Sequence, residues 1–181
     1  MPATPRSRPP NPHSLIADSR SPVSFLITDC PQPATLTDEY LTFLQSHGCS
    51  HLVRCCDPSA YDPTPLKESG IVVLDWFFED GSVPPDSIVL SLRDLISTLP
   101  PSSTLALHCI SGIGRAPVLV AAALVDQGMD PTDAVDLVRK HRRGALNRKQ
   151  LAWLVDDDGG LKKLNKKTKK SGMLGKLFGR K

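Results

Sequence analysis

Cys109 and Arg115, six positions apart, are the residues of this chain whose types and spacing are best suited to chemistry on a phosphate group. A cysteine thiolate is a strong nucleophile, and a guanidinium can donate two parallel hydrogen bonds to phosphoryl oxygens. Gly112 and Gly114 lie between them and allow a tight loop. The pattern predicts that Cys109 attacks phosphorus while Arg115 stabilises the developing charge; the alternative is a buried structural cysteine.

The loop that carries these residues is predicted to join a strand to a helix. Apolar residues 104–107 precede it, and an apolar run from Pro117 to Leu124 follows it. Because a helix N-terminus presents free N–H groups and partial positive charge, the loop is expected to bind an anion and to favour the thiolate of Cys109. His108 is expected to support the loop by hydrogen bonding rather than to act as a base. The expected phosphate-binding residues are Ile110, Ser111, Gly112, Ile113, Gly114 and Arg115.

An acidic segment upstream of this loop, residues 75–81, is expected to supply the proton that the departing oxygen needs. It leaves a predicted strand and contains three carboxylates, with Gly81 as a hinge. Asp80 is the preferred general acid, Glu79 is the competing candidate, and Asp75 is expected to anchor the strand end. The alternative for all three carboxylates is a solvated acidic turn.

The phosphatases of regenerating liver, which are the protein tyrosine phosphatases of type IVA, contain a segment that closely resembles residues 108–121, HCISGIGRAPVLVA. The cysteine and arginine alone would indicate only the wider cysteine phosphatase superfamily, whereas Arg-Ala-Pro and the later Arg-Arg-Gly-Ala at 142–145 narrow the resemblance. It covers residues 23–154 in order. The resemblance implies an α/β fold with a central twisted, mostly parallel sheet flanked by helices on both faces.

The residues themselves favour the same architecture. Predicted strands at 51–54 and 71–74 alternate with predicted helices, which is typical of a largely parallel sheet. Asp86 begins a segment with helical apolar spacing, Asp130 precedes a proline that can open a helix, and Asn147 with Gln150 has the form of a capping box. We therefore expect one phosphatase-like domain at 23–160, a disordered proline-rich leader at 1–22 and a flexible polybasic tail at 161–181.

Ala116 and Phe77 depart from related patterns. Most cysteine phosphatases carry Ser or Thr directly after the arginine, where the hydroxyl stabilises the thiolate that leaves when water hydrolyses phosphocysteine. Alanine cannot donate that hydrogen bond, so turnover is expected to be slow. The resembling family usually has proline where this chain has Phe77, so the acid loop is expected to be less rigid.

Five cysteines and no clear secretory signal argue against a secreted disulfide framework, and no metal-ligand spacing or cofactor motif is present. The resemblance implies that Cys56 can form a reversible disulfide with Cys109. Cys55 is adjacent and competes for that role. The alternative is that both cysteines simply fill a strand end near the core.

Charge is distributed unevenly along the chain. Residues 161–181 contain nine Lys or Arg and no acid, which leaves 13 basic and 19 acidic residues, a net charge of −6, for residues 1–160. Such a segment can bind an anionic membrane surface or act in nuclear import, or it can be a solvated tail; no specific nucleic acid is expected. The chain ends without the cysteine of a prenylation box, so we expect no prenylation by that route. The expected location is the cytoplasm, with peripheral membrane or nuclear location as alternatives.

Two classes of function follow. The first is a dual-specificity-like protein tyrosine phosphatase that acts on phosphorylated protein through a slowly hydrolysed phosphocysteine. The second is a binding module controlled by the phosphorylation or oxidation of Cys109, for which the resemblance implies magnesium transport proteins of the cyclin-M type as partners. Phosphoinositide hydrolysis is a weaker third alternative. The sequence indicates no oligomeric state.

Overall fold

A five-stranded sheet forms the centre of the structure, a computed structural model that describes residues 13–168 except for the side chains at positions 37 and 38. The strands are β1 (His13–Ile16), β2 (Ser24–Thr28), β3 (Cys49–Arg54), β4 (Val72–Asp75) and β5 (Thr104–His108). Their order is β1-β2-β5-β3-β4, with β1 antiparallel to β2 and the other pairs parallel. Thr28 and Arg54 both pair with His108, so β2, β3 and β5 end side by side at one edge.

The sheet is flanked by the helices α1 (Leu41–Ser46), α2 (Thr64–Glu68), α3 (Asp86–Thr98), α4 (Arg115–Asp126), α5 (Pro131–His141) and α6 (Arg148–Val155). Residues 160–168 are also helical. The predicted starts are confirmed: α3 begins at Asp86, Asp130 accepts a 2.8 Å hydrogen bond from the backbone of Thr132, and Asn147 and Gln150 form a reciprocal capping box.

Alternate residues of the central strands face two separate cores, because successive side chains of a strand point to opposite sides. Phe25 and Ile27 of β2 pack into a core with α3, α4, α5 and α6, whereas Leu26 packs into a second core with α1 and α2. In β5, Leu105 and Leu107 face the first core and Ala106 faces the second. The expected mostly parallel sheet with helices on both faces is therefore confirmed.

Helix α4 is the most enclosed element. All ten residues from Arg115 to Leu124 are buried, which is why the apolar run that predicted this helix has no polar face. Packing on all sides holds the N-terminus of α4 in one place at the end of β5. The loop between them is therefore anchored at both ends.

The expected leader and the expected tail both contain ordered, buried residues. β1 lies inside the segment 1–22 that was expected to be disordered; Ile16 is fully buried, and Ser14 donates a 2.7 Å hydrogen bond to the carbonyl oxygen of His141. Leu161 and Leu164, in the expected tail, are buried in the first core. Proline and lysine content averaged over a segment conceals a short strand or a pair of apolar residues at helical spacing. Residues 1–12 and 169–181 lie outside the described part of the chain.

Candidate active site

The loop 109–114 joins β5 to α4, as the sequence predicted. Gly114 precedes the first residue of α4 and provides no side-chain cap, so the N–H groups of the first helical turn face the loop. Gly112 has a φ of +62°, which a residue with a side chain adopts only with strain. The glycine positions thus serve the curvature of the loop.

The first and last of four consecutive loop carbonyls are held by backbone groups outside the loop. The carbonyl oxygen of Ile110 accepts a 2.8 Å hydrogen bond from the backbone N–H of Cys30, which follows β2. The carbonyl oxygen of Ile113 accepts a 2.8 Å hydrogen bond from the backbone N–H of Leu146. Both carbonyl groups therefore point away from the centre of the loop.

Arg142 holds the two carbonyls in between. Its Nε donates a 3.1 Å hydrogen bond to the carbonyl oxygen of Gly112, and its Nη2 donates a 2.9 Å hydrogen bond to that of Ser111. Nη2 also contacts the carboxylate of Asp29. No local sequence pattern connects Arg142 with a loop 30 residues away, so its role is visible only in the structure.

The outward direction of these carbonyls determines where the loop N–H groups point. In a planar trans peptide the C=O and the following N–H point in opposite directions. The N–H groups of Ser111, Gly112, Ile113 and Gly114 are therefore directed inward, and none of them donates a hydrogen bond to another described residue. Convergent N–H donors at a helix N-terminus are an arrangement that binds anions in proteins.

Arg115 lies at the base of this site and is nearly fully buried. Its Nη1 lies 3.3 Å from the carbonyl oxygens of both Cys55 and Phe78, which orient the guanidinium. Its buried Nε has no hydrogen-bond partner among the described residues; Oδ1 of Asp80 is 3.2 Å away, an ionic contact without hydrogen-bond alignment. An unpaired buried donor costs about 1–3 kcal/mol, which is the expected cost of keeping a donor free for an anion.

Asp80 and Glu79 occupy different positions relative to the site. Asp80 is mostly exposed, touches Arg115 and lines a cavity of about 240 Å³ together with the loop. Glu79 is exposed and does not line this cavity. The geometry therefore favours Asp80 over Glu79 as the group beside a bound phosphate. Asp75 lies at the end of β4, 2.5 Å from Nε of Arg54, which agrees with an anchoring role.

The segment that carries Asp80 is held by the N-terminus of α6. Nδ2 of Asn147 donates a 2.9 Å hydrogen bond to the carbonyl oxygen of Gly81, and Nε2 of Gln150 donates a 3.0 Å hydrogen bond to that of Ser82. The oxygen atoms of the same two amides cap α6. The capping box was visible in the sequence, but its second role was not, because the partner loop lies more than 60 residues earlier.

The described residues contain a larger cavity, of about 480 Å³, that is not part of this site. It is lined by the C-terminal parts of α4 and α6, the start of α5 and helical residues 160–168. No residue of the phosphate loop contributes to it. Its volume alone does not indicate chemistry, and the smaller cavity at the loop is the one with convergent polar groups.

His108 supports the loop from below and is fully buried. Its Nδ1 lies 3.0 Å from the carbonyl oxygen of Cys109, and its Nε2 lies 2.8 Å from the hydroxyl of Tyr61. Because a carbonyl oxygen only accepts, Nδ1 carries the proton of the neutral ring, and Tyr61 donates to Nε2. Tyr61 is in turn held by Arg54, which lies over its ring and donates a 2.7 Å hydrogen bond to its carbonyl oxygen.

Three other cysteines lie near the loop. Cys55 is fully enclosed in the first core, and burial raises the pKa of its thiol well above the ordinary value. The pKa of Cys56 is lowered, first by the facing thiol of Cys30 and then by His108. The sulfur atoms of Cys30 and Cys56 and a ring nitrogen of His108 lie within 4.8 Å of one another. The surroundings of Cys56 therefore favour its thiolate, whereas those of Cys55 favour the thiol, and Cys30 is a neighbour that sequence spacing did not reveal.

Ala116 is the second residue of α4 and is fully buried in the first core. A serine here would carry a hydroxyl on the carbon that is the methyl group of alanine, so Ala116 offers no hydrogen-bond donor at this position. Phe77 is about half exposed, and Ile110 and Ile113 are similarly exposed on the loop. The polar phosphate site is therefore accompanied by three exposed apolar side chains.

No protein-family model matches this chain. It is similar to the mouse "Protein tyrosine phosphatase type IVA 3", at 47% identity over 133 residues, 72% of this chain and 76% of that protein. It is 43% identical over 152 residues to the Dictyostelium discoideum "Probable protein tyrosine phosphatase type IVA A", which covers 82% of this chain and 89% of that protein. A solved putative protein tyrosine phosphatase from Leishmania major superposes with a TM-score of 0.70 at 37% identity, over 80% of this chain and 97% of that one. By its similarity to these relatives over most of its length, the chain belongs to the protein tyrosine phosphatase type IVA family.

Proposed function

We propose that this chain is a protein tyrosine phosphatase that hydrolyses phosphate monoesters of protein substrates through a phosphocysteine intermediate. The observation that carries this proposal is the loop after β5, where four consecutive carbonyls are bonded outward and four N–H groups converge. The unpaired buried Nε of Arg115 adds a cationic donor at the same place. The class of substrate agrees with the names of the relatives, which are protein tyrosine phosphatases.

The first step is attack on phosphorus. The inward N–H groups and Arg115 bind the three non-bridging oxygens, which brings phosphorus against the sulfur of Cys109. The sulfur forms a bond to phosphorus while the bond from phosphorus to the phenolic oxygen breaks. The charge that accumulates on the equatorial oxygens is stabilised by donors already oriented before the reaction, so little reorganisation is required.

Asp80 supplies the proton for the departing oxygen. Its carboxyl lies beside the guanidinium that binds the phosphoryl group, and its loop is tied to α6 through Gly81 and Ser82. General acid catalysis of this kind contributes about 10²–10⁴ in rate for a leaving group that needs protonation. The resulting carboxylate then accepts a proton from the water that hydrolyses the phosphocysteine.

Hydrolysis of the intermediate is proposed to be the slow step. Water attacks phosphorus and the thiolate of Cys109 leaves, but Ala116 has no hydroxyl to donate to that sulfur. His108 cannot replace it directly, because its Nδ1 proton is directed to the carbonyl oxygen of Cys109 rather than to the sulfur. The phosphoenzyme is therefore expected to accumulate.

The test is a pre-steady-state time course of the reduced protein with an activated aryl phosphate, in which aryl alcohol release and phosphate on Cys109 are followed together. We expect a burst equal to the enzyme concentration, followed by slow turnover, and no burst in Cys109→Ser. A linear time course without phosphoenzyme would reject slow hydrolysis of the intermediate. Equal activity in Cys109→Ser would reject the proposed nucleophile.

A second candidate function, partner binding controlled by the state of Cys109, is favoured by the exposed apolar side chains of Phe77, Ile110 and Ile113 around the polar site. Such a rim suits a protein surface rather than a free phosphate ion. The two functions separate in Asp80→Asn, since binding should survive this change and turnover on an unactivated phosphate ester should not.

Redox control of the nucleophile belongs to the same proposal. Cys55 and Cys56 are both fully buried, and Cys56 is preferred for a disulfide with Cys109 because Cys30 and His108 lower the pKa of its thiol, whereas burial raises the pKa of Cys55. Peroxide would oxidise one thiolate to a sulfenic acid, and attack by the other thiolate would release hydroxide. Peptide mapping after peroxide treatment should find Cys56 joined to Cys109, and a Cys55 linkage would contradict the assignment.

Binding to an anionic membrane surface is proposed for the basic C-terminal segment. Within residues 160–168 the leucines face the core and the four lysines are exposed, so this part offers charge but no free apolar face. Within residues 13–168, no helix has the length and apolar content needed to cross a bilayer. Binding to vesicles with anionic lipid should therefore fall steeply with salt, and salt-insensitive binding would contradict it.

A further inference from the structure

We propose that Cys30, Cys56 and His108 form a binding site for a soft divalent cation of the zinc class, directly beneath the phosphate loop. Their three ligand atoms, two sulfurs and a ring nitrogen, lie within 4.8 Å of one another. Two thiolates and an imidazole are ligands that such ions prefer, and three protein ligands with one open position is a known zinc arrangement. The residues come from three neighbouring strand ends, which is why their sequence spacing did not indicate a site.

The spacing of the ligand atoms suits a cation better than a covalent bond. Zinc lies about 2.3 Å from sulfur and about 2.0 Å from nitrogen, so tetrahedral ligand atoms are roughly 3.5–3.8 Å apart. The atoms of Cys56 and His108 are already 4.0 Å apart, and the other two pairs are within 4.8 Å, so small movements complete the site. A disulfide between Cys30 and Cys56 needs sulfur atoms about 2 Å apart and Cα atoms within about 7 Å. These cysteines follow β2 and β3, which lie on either side of β5, so two strand spacings, about 10 Å, separate the strand ends from which they extend.

His108 can turn one nitrogen to the cation without gaining or losing a proton. Its Nδ1 lies 4.0 Å from the sulfur of Cys56 and is the nitrogen nearest to the ligands. If Nδ1 binds the cation, the ring proton moves to Nε2, which then donates to the hydroxyl of Tyr61, already 2.8 Å away. A hydrogen-bond acceptor behind the ligating histidine is a common feature of metal sites, and Tyr61 provides it here.

The charges of the site balance. Two thiolates neutralise a divalent cation, and the protons of the thiols are released to solvent. Cys56 and His108 are fully buried, whereas Cys30 is only partly buried, so the ion can approach past Cys30. Without a cation, the facing thiol of Cys56 and then burial raise the pKa of Cys30, so the charge of the bound ion is needed to displace the proton of this thiol.

Cation binding has a consequence for the loop. Nδ1 of His108 lies 3.0 Å from the carbonyl oxygen of Cys109, and it loses the proton of that hydrogen bond when it binds the ion. The carbonyl oxygen of Cys109 is then left without its buried hydrogen-bond donor. Cys30, another ligand of the ion, also holds the loop, because its backbone N–H donates to the carbonyl oxygen of Ile110. The cation is therefore inhibitory. This consequence rests on the proposed phosphatase function, whereas the binding of the ion does not.

The test uses reduced, chelator-treated full-length protein titrated with Cd²⁺, a zinc-class ion whose bonds to thiolates produce ultraviolet absorption, followed by competition with Zn²⁺. We expect one bound ion per chain with the absorption of two thiolates. Cys30→Ser and Cys56→Ser should each weaken binding by at least about tenfold. Cys30→Ala, which removes the ligand without adding a hydroxyl, is the second variant at that position. Cys49→Ser, a buried cysteine on β3 outside the cluster, is the matched control and should bind as the unmodified protein does.

Cys109→Ser distinguishes this site from simple capture of the ion by the nucleophile. It should retain the bound ion and its absorption, and loss of binding in this variant would overturn the site. Full affinity in both Cys30 variants would also overturn the site. Loss of two free thiols without bound metal, if reductant reverses it, would show a disulfide instead of a metal site.

Phosphatase inhibition by Zn²⁺ is the second readout. Each protein is compared with its own metal-free rate, and Cys30→Ser should need at least about tenfold more Zn²⁺ than Cys49→Ser for the same inhibition. Binding without inhibition would overturn the proposed effect on the loop. A failure of the phosphatase proposal would appear separately, as the absence of a burst in metal-free protein.

Discussion

Nε of Arg142 donates a 3.1 Å hydrogen bond to the carbonyl oxygen of Gly112. Nη2 of the same guanidinium bonds to the carbonyl oxygen of Ser111 and contacts Asp29. One side chain thus determines the direction of two peptide planes and of the N–H groups of Gly112 and Ile113. Arg142 is a positioning residue, since it acts on the opposite side of the loop from the phosphate.

Replacement of Arg142 by lysine should weaken phosphate binding. A single ammonium group cannot hold both carbonyls and Asp29 in the geometry of the guanidinium, so the loop N–H groups lose their fixed direction. We expect the dissociation constant for inorganic phosphate to rise by roughly tenfold or more, which corresponds to about 1.4 kcal/mol. Arg143→Lys, at the exposed neighbouring position, is the control and should bind phosphate normally. Equal effects of the two substitutions would refute the role of Arg142.

Gly112→Ala should destabilise the protein and reduce activity. A Cβ at this position would lie 2.8 Å from the carbonyl oxygen of Thr28 and would overlap the guanidinium of Arg142. Gly70→Ala is a matched control, because Gly70 has a φ of +87° but no atom within 4 Å of its added Cβ. Denaturant unfolding should show a loss of about 1–2 kcal/mol for Gly70→Ala, due to backbone strain, and a larger loss for Gly112→Ala. Similar losses would mean that the overlap is relieved easily.

Asp80→Asn should slow esters with poor leaving groups much more than activated aryl phosphates. An activated leaving group departs without a proton, so it does not need the acid. We expect a selective loss of about 10²-fold or more for the poor leaving group, measured as kcat/KM on the two substrates. Glu79→Gln is the control and should affect both substrates little. If Glu79→Gln shows the selective loss instead, the general acid has been assigned to the wrong carboxylate.

Ala116→Ser should increase steady-state turnover without changing the size of the burst. The new hydroxyl can donate to the departing thiolate of Cys109 and so accelerates hydrolysis of the phosphocysteine. Ala121→Ser, at another fully buried position of α4, is the control for the cost of burying a hydroxyl. An unchanged or lower turnover in a folded Ala116→Ser protein would show that another step limits the rate.

Asn147→Asp and Asn147→Ala should separate the two roles of this side chain. Aspartate keeps the oxygen that caps α6 but loses the Nδ2 donor to the carbonyl oxygen of Gly81, whereas alanine loses both. Thermal unfolding should therefore show a loss of about 1 kcal/mol only for alanine. Both variants should lower kcat/KM selectively for poor leaving groups. Full activity of both variants would mean that this hydrogen bond does not position Asp80.

The nucleophilic loop, the order of most elements and the family resemblance were all predictable from the sequence. Strand, loop and helix are contiguous around Cys109 and Arg115, so local spacing and the apolar run of α4 were enough to identify them. Asn147 and Gln150 were equally recognisable as a cap, because both halves of that interaction lie within four residues. Such features are local in the chain and so leave a local pattern.

The groups that meet at the loop from distant parts of the chain are brought together by tertiary structure. The backbone N–H of Cys30 and the carbonyl oxygen of Phe78 reach the loop because they follow parallel strands that end at one edge, whereas Arg142 reaches it from the C-terminal end of α5. β1 and the buried Leu161 were missed for the related reason that short segments are stabilised by packing partners elsewhere in the chain. Contacts of this kind join residues that are far apart in the chain and form only when the elements pack around the two cores. A local sequence pattern does not show which distant segments will pack together.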